Sequence, residues 1–163
     1  MSLDLDESDL ALQVDVQYAI DVEDNITEEQ LILWANTAYN HVLQHNPELA
    51  TDGVQECVIR VVDAAESENL NNQFRSKQSP TNVLSFCYED IDEYLGDVVV
   101  CLPIVLEEAE QQETDIKDYF AHMITHGVLH LLGYDHIEED QAQEMEALET
   151  DILKQLGIAN PYQ

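Results

Sequence analysis

Basic residues are what this chain has least of: five lysines and arginines stand against 35 aspartates and glutamates, a formal charge of −30 at pH 7. Averaged over a surface, such a charge repels polyanions and argues against general nucleic-acid binding. Cysteine is scarce too. Cys57, Cys87 and Cys101 are odd in number, widely spaced and without a CxxC pair, so they indicate neither a disulfide framework nor a zinc knuckle and predict buried, reduced thiols. No stretch approaches the ~20 apolar residues of a membrane-spanning helix. The first residues, Met1-Ser2-Leu3-Asp4-Leu5-Asp6-Glu7, are acidic where a secretory signal would be basic, so a cytoplasmic location is expected. Internal repeats, low-complexity tracts and linkers are absent, and 163 residues with 45% hydrophobic content suit one domain over residues 1–163.

The acids are not spread evenly. From Asn69 to Tyr88 there is neither Asp nor Glu over 20 residues, and this window carries two of the five bases, Arg75 and Lys77. A second acid-free window runs from Tyr119 to Tyr134. If the two meet in the fold, an acidic shell surrounds one neutral-to-basic site, and the local field decides what binds there. Burial alone would also keep charges out of such segments.

Patterning predicts a strand near residues 10–20 from the alternation of Leu12, Val14, Val16 and Tyr18. A helix follows to about Gln44, opened by the Thr27/Gln30 capping-box signature. Asn46-Pro47 breaks it, and residues 50–55 read as a loop. A strand at 57–62, a short helix at 65–74, a polar loop over 75–82, and strands at 83–88 and 95–102 come next. Helices are expected over 104–112, 116–132 and from about Glu138, where Met145, Leu148, Ile152 and Leu156 mark an apolar stripe. Strands early and helices late point to an α+β domain with helices packed on one sheet.

His126 and His130 are four residues apart on a predicted helix, so both imidazoles share a face and can grip one ion. Gly133 falls where a left-handed helix end reverses the chain, and His136 returns as a third ligand. The pattern HxxxHxxGxxH has the metzincin spacing, in which three histidines leave a metal position open for catalysis. In those peptidases a Glu follows the first histidine and acts as base; here Gly127 stands there, which disfavours a peptidase mechanism. What survives is a metal, zinc by preference, with base and charge clamp supplied from elsewhere. Asp135 is either a partner of the site or an ordinary cap. His122 extends the row by a turn, but its rotation carries it away from the other two. His41 and His45, also four apart, have no third ligand in reach and read as solvated. Arg75, in a segment without acids, suits a phosphate.

Asn72-Gln73-Phe74-Arg75-Ser76-Lys77-Gln78-Ser79-Pro80-Thr81-Asn82-Val83-Leu84-Ser85-Phe86, then Leu95-Gly96-Asp97, then His126-Gly127-Val128-Leu129-His130-Leu131-Leu132-Gly133-Tyr134-Asp135-His136 closely resemble the bacterial YbeY family over about residues 56–157. The resemblance implies a zincin-like fold with a mixed sheet of about four strands. It implies a single-strand-specific zinc endoribonuclease of ribosomal RNA maturation, notably at the 3′ end of the small-subunit RNA, and of ribosome quality control. The small ribosomal subunit and its assembly factors are the implied partners. Matched residue by residue, one zinc per chain falls on His126, His130 and His136, and Arg75 and His126 are the expected catalytic residues. Where the family commonly has Tyr, Asp and Pro, this chain has Phe74, Gln78 and Cys87. A zinc hydrolase of a peptide or amide, and an assembly factor with a mainly structural metal, are the alternative readings.

Overall fold

The computed structural model describes residues 12–162 except 23–25, 52, 89–92 and 136. Among these are four strands and five α-helices, the last three helices following one another after the last strand. They are β1 (Leu12–Tyr18), α1 (Glu28–His45), β2 (Gln55–Val62), α2 (Ala64–Arg75), β3 (Val83–Cys87), β4 (Tyr94–Cys101), α3 (Leu102–Gln111), α4 (Ile116–Leu131) and α5 (Glu139–Gln155). A single 3-10 turn at Pro47–Leu49 follows the Asn46-Pro47 break. The α+β class is borne out, and most element ends fall within two residues of the expected ones.

Local chemistry accounts for the helix limits. At the start of α1 the Thr27 hydroxyl accepts from the Gln30 N–H at 3.2 Å while the Gln30 carboxamide accepts from the Thr27 N–H at 3.0 Å, a reciprocal box that satisfies two otherwise orphaned donors. Asp63 and Asp115 cap α2 and α4 more simply, each carboxylate accepting one backbone N–H, from Glu66 and Lys117. Helix α4 ends in a Schellman turn: Gly133 N–H reaches the His130 carbonyl and Tyr134 N–H the Leu129 carbonyl, with Gly133 at φ 98°, a conformation that favours glycine.

The strands form one mixed sheet in the order β1-β2-β4-β3. Strand β1 runs parallel to β2, β2 parallel to β4, and β3 antiparallel to β4. The outer strand β1 is pinned by buried Asn36 of α1, whose carboxamide both accepts from Leu12 N–H and donates to Leu12 C=O at 3.0 Å. Side chains alternate across β4: Val98 and Val100 join the main core with α1, α3, α4 and α5, whereas Val99 and Cys101 join a smaller cluster with Leu70 of α2. Because helices cover both faces, β4 reads as a continuous apolar run. Phe120, Ile124 and Leu129 of α4 are fully buried, each contributing about 1.5–3 kcal/mol of transfer free energy. That burial fixes α4 directly beneath β3 and β4.

Two expectations need correcting. Arg75 is not in the polar loop but is the last residue of α2, followed by Ser76 in the left-handed region, so the helix continues until a residue can leave it. Cys57 and Cys101 are buried thiols, but Cys87 is exposed at the end of β3, the edge strand of the sheet among the described residues.

Candidate functional site

Helix α4 places His126 and His130 one turn apart, with their Nε2 atoms 3.0 Å apart. Two ring nitrogens so close need a proton or a cation between them. Two nitrogens bound at ~2.0 Å to one tetrahedral ion would lie roughly 3.3 Å apart, so the pair is spaced as two ligands of a small divalent metal. His136 lies outside the described residues, and among the described residues no cluster of three metal-binding side chains forms. Asp135, beside it, is half-buried and lines a cavity of about 260 Å³ with Gly133 and Tyr134.

Behind His126 stands a residue that sequence reasoning missed. Glu149 of α5 is 1% exposed and accepts from His126 Nδ1 at 2.6 Å, from His122 Nε2 at 2.9 Å and from the Tyr162 hydroxyl. Burial pushes its carboxyl up, but the hydrogen bonds from His122, His126 and Tyr162 and the charge of His126 outweigh that and hold it at about 2. It is therefore ionised in the folded protein. The signal in the sequence was a carboxylate inside an apolar stripe, one residue after Leu148 and three before Ile152. His122, read as turned away from the pair, joins it through this shared carboxylate.

The residue after His126 explains itself by packing. A Cβ on Gly127 would lie 2.6 Å from Val98 Cγ1, so α4 touches the sheet at a point where no side chain fits. The Gly127 carbonyl accepts from the Ser85 hydroxyl of β3 at 3.1 Å. A glutamate here would point into the sheet rather than into the site.

The two acid-free windows do meet. Ser85 contacts Gly127, and the Cys87 thiol lies 3.8 and 3.7 Å from the carbonyl oxygens of His130 and Leu131. Along this edge runs a groove of about 380 Å³ lined by Phe74, Arg75, Ser85, Phe86, Cys87 and Tyr88. The Phe74 ring is 59% exposed and packs edge-on against Phe86 at 5.0 Å. Tyr88 also shows its ring, while its hydroxyl donates to Asp97 at 3.0 Å, and Tyr94 donates to the same carboxylate. Arg75 has no ion pair among the described residues, whereas Arg60 is matched to Glu66 at 2.6 Å. The groove thus offers one guanidinium and two ring faces, and the Asp97 carboxylate behind Tyr88 is occupied by two phenols.

A mixed four-stranded sheet with helices on both faces and an imidazole pair backed by a buried carboxylate defines an α+β protein built around one late-helix site. The fold is similar to that of TM1509 from Thermotoga maritima, solved in solution, at a TM-score of 0.54 and 24% identity, covering 89% of this chain and 88% of that one. The model of the endoribonuclease YbeY family matches residues 17–157, and the chain belongs to that family. The Endoribonuclease YbeY of Alteromonas mediterranea is 46% identical over 159 residues, 91% of this chain and 95% of the relative.

Proposed function

We propose that this chain is a zinc-dependent, single-strand-specific endoribonuclease, a zincin-like single domain. Its role is ribosomal RNA processing, at the 3′ end of the small-subunit RNA and in ribosome quality control. The observation that carries the reading is the junction of the Arg75 groove with the helix of His126 and His130, made by Ser85 and Cys87.

One zinc per chain would be held by His126, His130 and His136 and would supply a Lewis acid that polarises the reacting phosphate and acidifies water. The protein's own groups do the rest. Arg75 orients the scissile phosphate and offsets charge growing on its non-bridging oxygens. Phe74 and Tyr88 give stacking surfaces that only unpaired bases can use, because the faces of paired bases are already covered in a duplex. The acidic remainder of the surface repels RNA elsewhere and leaves the groove as the place of contact. The small ribosomal subunit and its assembly factors, in the cytoplasm, are the partners this role requires. The crowding at Gly127 speaks against a peptidase that uses a glutamate at that position.

The test is cleavage of a ribosomal RNA fragment at low salt by zinc-quantified protein. Wild type is expected to carry one zinc and cut unpaired segments. His126→Ala should lose both properties, and Arg75→Ala should keep zinc yet cut roughly 100-fold more slowly. Equal cutting by all three overturns the proposal, as does a zinc-loaded wild type that cuts nothing.

A further inference from the structure

We infer that Glu149 is the positioning residue of the metal centre: its carboxylate, locked by His122 and Tyr162, fixes the ring of His126 and turns Nε2 toward His130. This rests on the zinc reading given above.

A carboxylate is costly to bury unless every lone pair is used. Glu149 lies among Met145, Leu148, Ile152 and Leu153 on the covered face of α5, where an apolar residue would pack without that cost. Its oxygens are both engaged: Oε1 by His126 Nδ1, Oε2 by His122 Nε2 and the Tyr162 hydroxyl. With Nδ1 directed at the carboxylate at 2.6 Å, Nε2 is the nitrogen that faces His130 Nε2 at 3.0 Å. Rotation of the ring is blocked by the same bond. His122 is thereby assigned as well, since its Nε2 is turned to the carboxylate. Tyr162, supplied by the chain after α5, is held in turn by its backbone N–H on Asn160 at 2.8 Å.

Glu149→Gln preserves shape and removes charge. Zinc affinity, read by competition with a chromophoric chelator, should fall roughly 10–100-fold, while melting of the metal-free protein stays well above the assay temperature. Metal-free wild type in alkaline buffer should show His126 as the Nδ1–H tautomer in long-range proton–nitrogen spectra, a property that a merely structural role would not set. Should Glu149→Gln fail to fold, Tyr162→Phe carries the test, with an expected loss of about 5-fold from one missing hydrogen bond. Unchanged zinc affinity in the folded variants, or an Nε2–H tautomer in wild type, overturns the inference. A wild type that binds no zinc overturns it together with the metal reading. Zinc affinity that depends on Glu149 in a protein unable to cut RNA overturns only the endoribonuclease reading.

Discussion

Two helices of this protein carry histidines four residues apart, His41 and His45 on α1 and His126 and His130 on α4, and of these two pairs only the second is backed by a buried carboxylate among the described residues. On α1, His41 Nδ1 meets the Gln155 carboxamide at 2.6 Å, and His45 lies 3.9 Å from Glu144 with both side chains about half exposed. On α4, His126 is 22% exposed, its Nδ1 sits on a buried carboxylate and its Nε2 faces His130. Spacing puts two imidazoles on one face in both cases. What separates them is the residue that α5 offers each pair: its covered face brings buried Glu149 behind His126, whereas Gln155 and Glu144, which meet the α1 pair, lie at its exposed rim. The residues that follow show the same difference. Val42, after His41, is fully buried where α1 has room for it, and Gly127, after His126, stands where α4 touches Val98.

The sharpest way to break this comparison is to remove one histidine from each pair. His126→Ala is expected to abolish stoichiometric zinc and cost several kcal/mol of transition-state stabilisation, while His41→Ala leaves zinc content and RNA cleavage as they are. Metal analysis and cleavage rates read both, and equal losses would make the two pairs equivalent.

Exchanging the neighbours acts on stability. Val42→Gly removes buried volume and adds helix strain, a loss of about 3 kcal/mol. Gly127→Ala forces its methyl against Val98 and is expected to cost about 1–3 kcal/mol. Denaturant melts of the metal-free protein measure both, and a neutral Gly127→Ala would mean that α4 can lift off the sheet.

Acid titration gives a smaller contrast. The Glu149 carboxyl, at about 2 in the folded protein against an ordinary 4.5, contributes stability that is complete above about pH 4.5 and fades as pH falls toward 2. The stability gap between metal-free wild type and Glu149→Gln should therefore narrow below pH 4.5. Glu144→Gln, at the exposed α1 pair, should change stability by less than about 0.5 kcal/mol at any pH. A gap that widens in acid would contradict the ionised, donor-bound state of Glu149.

Much of the fold was legible because it follows local rules. The Thr27 box, the Asn46-Pro47 break, the Gly133 turn and the stripes of α1 and α5 each depend on neighbours within about four residues, and each stands where it was expected. Arg75 was placed in a loop because Arg75-Ser76-Lys77-Gln78 carries no apolar signal, although a helix can run on until a cap such as Ser76 ends it. Cys87 looked buried because its edge position depends on strand order, a long-range property. Glu149 escaped because its partners lie 23 and 27 residues away on another helix.

By itself the sequence marked the candidate residues, a histidine motif around a glycine turn and an arginine in an acid-free stretch, and set helix limits through short-range hydrogen bonds. Only the tertiary structure decided which of them lie together. Strand order laid the Arg75 window along the His126 window, the approach of α4 to Val98 required glycine after the first histidine, and the packing of α5 drove a carboxylate onto that histidine's far nitrogen. Local periodicity fixes which way a side chain leaves its own helix, but what it meets there depends on backbone segments joined by long loops, whose closure is settled by burial of the whole core.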